Sequence, residues 1–245
     1  MSLNYFILVG NPFFDAYNQS DYLGKLIFIL LVSLSIISWV ILINKFWITQ
    51  QARKLSQQFW ETFQLQRLNP LSLEIDNSKL KLKNSPFQEL YIALKKNTLE
   101  ILQKNRTFKG KEENSAYLSP TDIDFIQAQL MTQVSNSTKD LEKNLFILST
   151  IVTLAPFLGL LGTVWGILNS FSEMQAVSSA GSQSVLSGLS LALATTVLGL
   201  LDAIPALIGY NYLKNASRDF ETDMQSFSNE MIAAVELQYR QVDIN

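Results

Sequence analysis

The 245-residue chain contains no cysteine and no histidine. Without cysteine there are no disulfides and no thiolate metal sites. Without histidine an imidazole proton relay and most zinc or haem sites are excluded. A third absence is local. Between Lys143 and Lys214 seventy residues run without a Lys, Arg or His, and Glu173 and Asp202 are the acids in that stretch. Two long apolar segments lie there, Leu145–Phe171 and Val185–Leu213, joined by the Ser/Gly/Gln-rich turn Glu173–Ser184. A helix needs about 20 apolar residues to cross the hydrocarbon core, so this pattern predicts a helical hairpin through a bilayer.

A further apolar run, Leu26–Ile43, carries no charge and is bounded by Lys25 and Lys45. The mean hydropathy is only +0.15 because about half of the chain is written for water. The stretch before Asp21 has no Lys or Arg, so it lacks the basic region of a signal peptide and the first span is expected to be a retained anchor. The predicted fold is therefore an all-α membrane protein with three transmembrane helices and long cytoplasmic helical extensions. The net charge of −2 points to no class of partner. The alternating Lys79–Lys83 is too short to form a basic patch, and nucleic acid is not an expected ligand.

The cations set the orientation. Fifteen of the nineteen Lys and Arg fall between Lys45 and Lys143, and the turn between the last two spans has none. Basic residues close to span ends favour the cytoplasm. The expected layout is an external segment 1–24, a first span 25–44, a cytoplasmic helical region 45–143, a second span 144–172, an external turn 173–184, a third span 185–213 and a cytoplasmic C-terminal helix 214–245.

In the cytoplasmic region Ile48, Ala52, Leu55, Phe59 and Phe63 recur at helical spacing, as an amphipathic stripe continuing out of the first span. Asn69-Pro70 and Ser85-Pro86 bracket a linker. A second stripe follows at Phe87, Leu90, Tyr91, Leu94 and Leu102, and the polar tract Lys104–Ser115 reads as a loop. Ser119-Pro120-Thr121-Asp122 has a capping hydroxyl, proline at the first helical position and an acid in the first turn. Ile123, Ile126, Leu130, Val134 and Leu141 then carry that helix towards the second span. Such stripes ordinarily bury against one another and against sister subunits; the other use of long projecting helices is as a docking surface. This half contains no nucleotide loop, metal cluster or nucleophile–base arrangement, so no enzymatic activity and no cofactor are expected.

The second and third spans carry more than an anchor needs. Pro156 interrupts one and Pro205 the other, and proline removes a backbone donor. Gly159, Gly162 and Gly166 in the second span, and Gly188 and Gly199 in the third, permit close helix approach in lipid. Thr163 lies about 12 Å and Thr196 about 16 Å from the intervening turn at 1.5 Å per residue. Their hydroxyls fall at similar depth and can line a polar seam, or each can bond a carbonyl of its own helix.

The run Ala155-Pro156-Phe157-Leu158-Gly159-Leu160-Leu161-Gly162-Thr163-Val164-Trp165-Gly166-Ile167 resembles the second-span signature of the MotA/TolQ/ExbB proton-channel family. Gly188…Thr196…Gly199-Leu200…Ala203-Ile204-Pro205-Ala206 resembles its third-span signature, and Ser38–Ile43 and the three-span topology agree. Phe59-Trp60 and Arg67-Leu68 look more like the TolQ branch than the ExbB branch. The resemblance implies a pentameric homo-oligomer in the bacterial inner membrane with a periplasmic N-terminus and a cytoplasmic C-terminus. It also implies a TolR-like or ExbD-like single-span partner inside a pore walled by the second and third spans. Proton motive force would then drive a TolA-like or TonB-like periplasmic transducer. Thr163 and Thr196 would face the partner's carboxylate from the pore wall. A passive membrane scaffold is the alternative of another class.

One departure bears on the ion path. The family commonly carries a glutamate three residues after the third-span glycine, where this chain has Leu191. An acid appears instead at Asp202, eleven residues on and about 16 Å along the same face. Asp202 follows Thr195 by seven residues on nearly the same stripe. An intramembrane carboxylate is a functional candidate by default, so Asp202 and Thr195 join Thr163 and Thr196 as expected ion-path residues. The other reading places Asp202 at the inner boundary, hydrated or paired with a lysine. Glu173 is expected to be a solvated turn residue.

Overall fold

The structure is a computed structural model that describes residues 12–73, 85–109, 117–176 and 182–240. The expected external segment, linker, loop and turn lie partly outside the described residues, at 1–11, 74–84, 110–116 and 177–181. Among the described residues six helices follow in order: α1 (Pro12–Gln19), α2 (Tyr22–Leu65), α3 (Pro86–Lys109), α4 (Pro120–Glu142), α5 (Leu145–Ala176) and α6 (Ser182–Tyr239). Among the described residues the one β contact is an isolated parallel bridge between Leu118 and Arg240. Helices α2, α5 and α6 each contain an apolar window long enough to cross a membrane. The chain is an all-α membrane protein.

The chain divides into two compact units, one of Met1–Asn44 with Asn144–Leu213, the other of Lys45–Lys143 with Lys214–Asn245. The first unit turns large apolar side chains outward: Ile36 and Val40 on α2, Phe157 and Val164 on α5, Leu193 and Ile208 on α6 are all exposed. Its interior mixes aliphatic side chains with alanines, Ile27, Leu31, Ile151, Ala155, Ala203 and Ala206 forming one cluster. This distribution suits lipid, where apolar surface needs no burial and helix contacts depend on close packing of small residues.

The second unit buries its apolar surface as a water-facing protein does. Phe63, Leu90, Tyr91, Leu94, Leu130, Phe227 and Met231 are fully buried in one core. Phe87 stacks on Phe220 at 5.7 Å and on Phe227 at 4.5 Å, both nearly parallel. The Tyr91 hydroxyl donates to the Leu73 carbonyl at 3.2 Å, and burial pushes its phenol up to about 12. Ser119 caps α4 through the reciprocal box with Asp122: the Asp122 N–H donates to Ser119 Oγ and the Ser119 N–H to Asp122 Oδ2. The five apolar positions that mark α4 in the sequence, Ile123 to Leu141, are all buried.

Three local expectations are corrected. Lys104–Lys109 is helical, not loop, because α3 continues to Lys109. Leu102 packs against the core there, and the Asn105 amide donates to the Tyr117 carbonyl and to Asp122 Oδ2. Helix α4 does not run on into the second span. It ends at Glu142, and Asn144 adopts a φ of 71°, a left-handed conformation that asparagine tolerates well. The Lys45 ammonium donates to the Asp140 and Leu141 carbonyls, satisfying two groups at that helix end. Glu173 lies inside α5 rather than in a turn, and its carboxyl accepts from the Asn169 amide at 3.4 Å.

Candidate ion-conducting site

Helices α5 and α6 meet along one antiparallel seam. A Cβ built on Gly166 would lie 2.5 Å from the Gly188 carbonyl oxygen, and one on Gly188 would lie 2.7 Å from the Gly166 oxygen. One on Gly199 would lie 2.6 Å from the Ala155 oxygen, and one on Gly162 would lie 2.6 Å from the Thr195 Cβ. At Gly159 the nearest atom is the Thr195 oxygen at 3.0 Å. The two backbones therefore touch where side chains are missing. Both helices run through their prolines, Pro156 and Pro205, and both prolines are half-buried.

The threonines of this seam are used differently. Thr196 is half-buried, and its hydroxyl donates across the seam to the Gly159 carbonyl at 3.4 Å. Thr163 is also half-buried but donates within its own helix, to the Leu160 carbonyl at 2.6 Å. Both border the outward faces of their helices, beside exposed Val164 and Val197. Thr195 is fully buried and bonds the Leu191 and Ala192 carbonyls of its own helix, each at 3.0 Å.

Asp202 shares the inward face with Thr195. The residue is 4% exposed, and Oδ2 is buried without a hydrogen-bond partner. Leu191, at the position where the resemblance leads one to look for glutamate, packs instead with Ala16, Phe28 and Ala194. Among the described residues no cluster of acids could hold a metal ion.

Two further contacts hold the three spans together. The Trp165 indole donates to Asp21 Oδ2 at 2.8 Å, while Asp21 Oδ1 accepts the Gly24 N–H at the start of α2. Asp21 is legible as a helix cap; its indole partner, 144 residues away, is not. The Ser170 hydroxyl is buried on the seam, within bonding distance of the Gly166 carbonyl at 2.9 Å and the Val185 carbonyl at 3.2 Å.

Residues 100–226, more than half of the chain, match the MotA/TolQ/ExbB proton channel family. The chain belongs to that family. It is similar to the Tol-Pal system protein TolQ of Haemophilus influenzae, 28% identical over 89% of this chain and 91% of that protein. It is also similar to the biopolymer transport protein ExbB of Pseudomonas putida, 28% identical over 89% of this chain and 62% of that longer protein. A segment covering 32% of the chain is 50% identical to 54% of the ExbB of Helicobacter pylori. The two glycine-seamed spans described above lie wholly or largely within the matched region, as do α4 and the end of α3. The MotA/TolQ/ExbB family is one of proton channels.

Proposed function

We propose that this chain is the wall-forming subunit of a TolQ–TolR-type stator that lets protons cross the bacterial inner membrane to drive a periplasmic transducer maintaining the cell envelope. The observation that carries this reading is the α5–α6 seam, whose helices are held together by glycines and leave Thr163 and Thr196 at the edge of their outward faces. The apolar outer surface of the first unit leaves room for sister subunits as well as lipid. In this reading several copies, five by family resemblance, close spans two and three around the single helix of a TolR-like or ExbD-like partner. The partner's carboxylate carries the proton, and Thr163, Thr196, Thr195 and Asp202 supply the polar groups of this chain along or beside the route. The proposed orientation puts the N-terminus and the 173–184 turn in the periplasm and the 45–143 region and C-terminal helix in the cytoplasm, by the distribution of Lys and Arg. No covalent bond is made or broken.

A second reading, an ExbB-type subunit energising outer-membrane uptake, is favoured by the 50% identity of one segment to an ExbB. The test starts from the complex purified intact from its native membranes, with its mass and partners determined. A periplasmic partner domain of either type then separates the two branches. Proton uptake into proteoliposomes is expected to fall about tenfold in Thr163→Val or Thr196→Val, the worth of one lost hydroxyl contact. Proton flux unchanged in both variants would replace the channel with a non-conducting scaffold.

A further inference from the structure

Asp202 is the one carboxyl in the apolar part of α6, and the closed packing of the three spans gives it no counter-charge. Two near-contacts fix the parallel register of α2 and α6: the Leu191 side chain fills the place of a Gly24 Cβ, and the Leu42 side chain that of a Gly209 Cβ. Both pairs differ by 167 in sequence number, which sets Asp202 level with Ser35, one turn before the buried Ser38. On the other side, Ala155 against Gly199 fixes the antiparallel register of α5. Asp202 is then level with Val152, beside buried Ile151 and Ala155. No Asp, Glu, Lys, Arg or His occurs in α2 between Lys25 and Lys45 or in α5 before Glu173. On α6 itself the nearest titratable groups are Tyr210 and Tyr212, more than two turns away. The carboxyl thus sits at a junction with serine-bearing α2 on one side and an apolar wall on the other.

We infer that Asp202, at the level of Ser35 and Ser38, is a monovalent-cation site inside each protomer, loaded when α2, α5 and α6 close on it. The inference deepens the ion-conducting reading and rests on it for its use in transport, but not for the existence of the site. A carboxylate in a low-dielectric junction needs either a bonded proton or a coordinated cation, and among the described residues the apolar parts of α2, α5 and α6 hold no Lys or Arg to serve instead. Thr195, about two turns before Asp202 on the same face, has its hydroxyl engaged by its own helix and leaves the site to Asp202 and the α2 serines. Proton and sodium both satisfy this chemistry. Unloading leaves a bare charge among apolar groups, so loss of the ion is linked to parting of the spans. Each protomer would then breathe in step with its ion load, separately from the partner's carboxylate in the central pore.

The test is thermal unfolding of the full detergent-solubilised chain, wild type beside Asp202→Asn and Asp202→Leu, titrated with pH at minimal sodium and with NaCl at fixed pH. A ligand bound by the folded state raises its melting midpoint with concentration. The expected result is a wild-type midpoint, measured against either variant, that shifts upward as pH falls if the ion is a proton, or as sodium rises if it is sodium. Asp202→Leu, which removes the carboxyl altogether, is expected to fold and to show neither shift. A wild-type-minus-variant difference that is flat in both titrations overturns the inference. Proton flux in proteoliposomes made with the wild-type complex judges the channel reading separately: a site that loads in a complex that does not conduct sinks the channel and keeps the site.

Discussion

Replacing Gly166 by alanine is the sharpest test of how α5 and α6 meet. The new methyl carbon would stand 2.5 Å from the Gly188 carbonyl oxygen, and the next atoms, the Ala192 Cβ and N, are at 3.1 Å. The first contact is backbone, so no rotamer change relieves it. Restoring an ordinary carbon–oxygen separation requires α5 and α6 to part by somewhat under 1 Å, a distance that forfeits a quarter to a half of each dispersion well along the seam. Overpacking of this kind costs about 1–3 kcal/mol. Alanine returns about 1 kcal/mol of helix propensity, leaving a net loss of up to about 2 kcal/mol. Gly199→Ala, facing the Ala155 oxygen at 2.6 Å, is expected to behave alike. Gly209→Ala is the control, since it meets the end of the flexible Leu42 side chain and not backbone. Melting midpoints of the detergent-solubilised chain, followed by helical circular dichroism, should rank wild type near Gly209→Ala and both well above Gly166→Ala. If Gly166→Ala melts with or above the control, the backbones do not touch there and the seam is wrong.

Two other predictions concern single residues. Asp21→Ala should cost about 1.5–3 kcal/mol as a hydrogen bond to a charged group is lost; a shift in Trp165 emission should accompany it, and an unmoved spectrum would show that the indole is not bonded to Asp21. Partial burial works to raise the Asp122 carboxyl, but the Ser119 backbone N–H, the Asn105 amide, the Ser119 hydroxyl and Lys104 outweigh it and hold it below the ordinary aspartate value. Its contribution to stability is therefore present above the unfolded-state value and lost as pH falls through the folded one. Asp122→Ala should lower stability by about 0.5–2 kcal/mol near neutrality, the worth of a capping interaction, with the gap from wild type closing in acid; a gap that persists in acid would contradict this.

Much of this fold was legible because its signals are local. The α4 start was readable from Ser119, Pro120 and Asp122, since a capping box involves neighbours in sequence. The apolar stripes of the second unit were readable because helical spacing alone puts Phe87, Leu90, Tyr91 and Leu94 on one face. The end of α3 is not legible in this way, because what keeps Lys104–Lys109 helical includes Asn105 bonding to Tyr117 and Asp122 across a stretch of chain that no window spans. The break at Asn144 is hidden for a related reason: a single left-handed residue between two strongly helical runs leaves no periodic trace.

The candidate site divides in the same way. Sequence by itself determined that three helices are apolar enough to cross a bilayer, that two of them carry small residues and threonines, and that the third-span acid stands at Asp202 and not at Leu191. Hydrophobicity and spacing are properties of the chain, so they need no partner to be seen. Tertiary structure decided which surfaces those residues occupy. It set Thr195 and Asp202 inward, Thr163 and Thr196 at the edge, and Asp21 against Trp165. It also left the Asp202 Oδ2 without a hydrogen-bond partner. A residue's depth and partners depend on the register between helices. That register is fixed here by backbone contacts at Gly166, Gly188 and Gly199, where a seam exists only once two distant segments have come together.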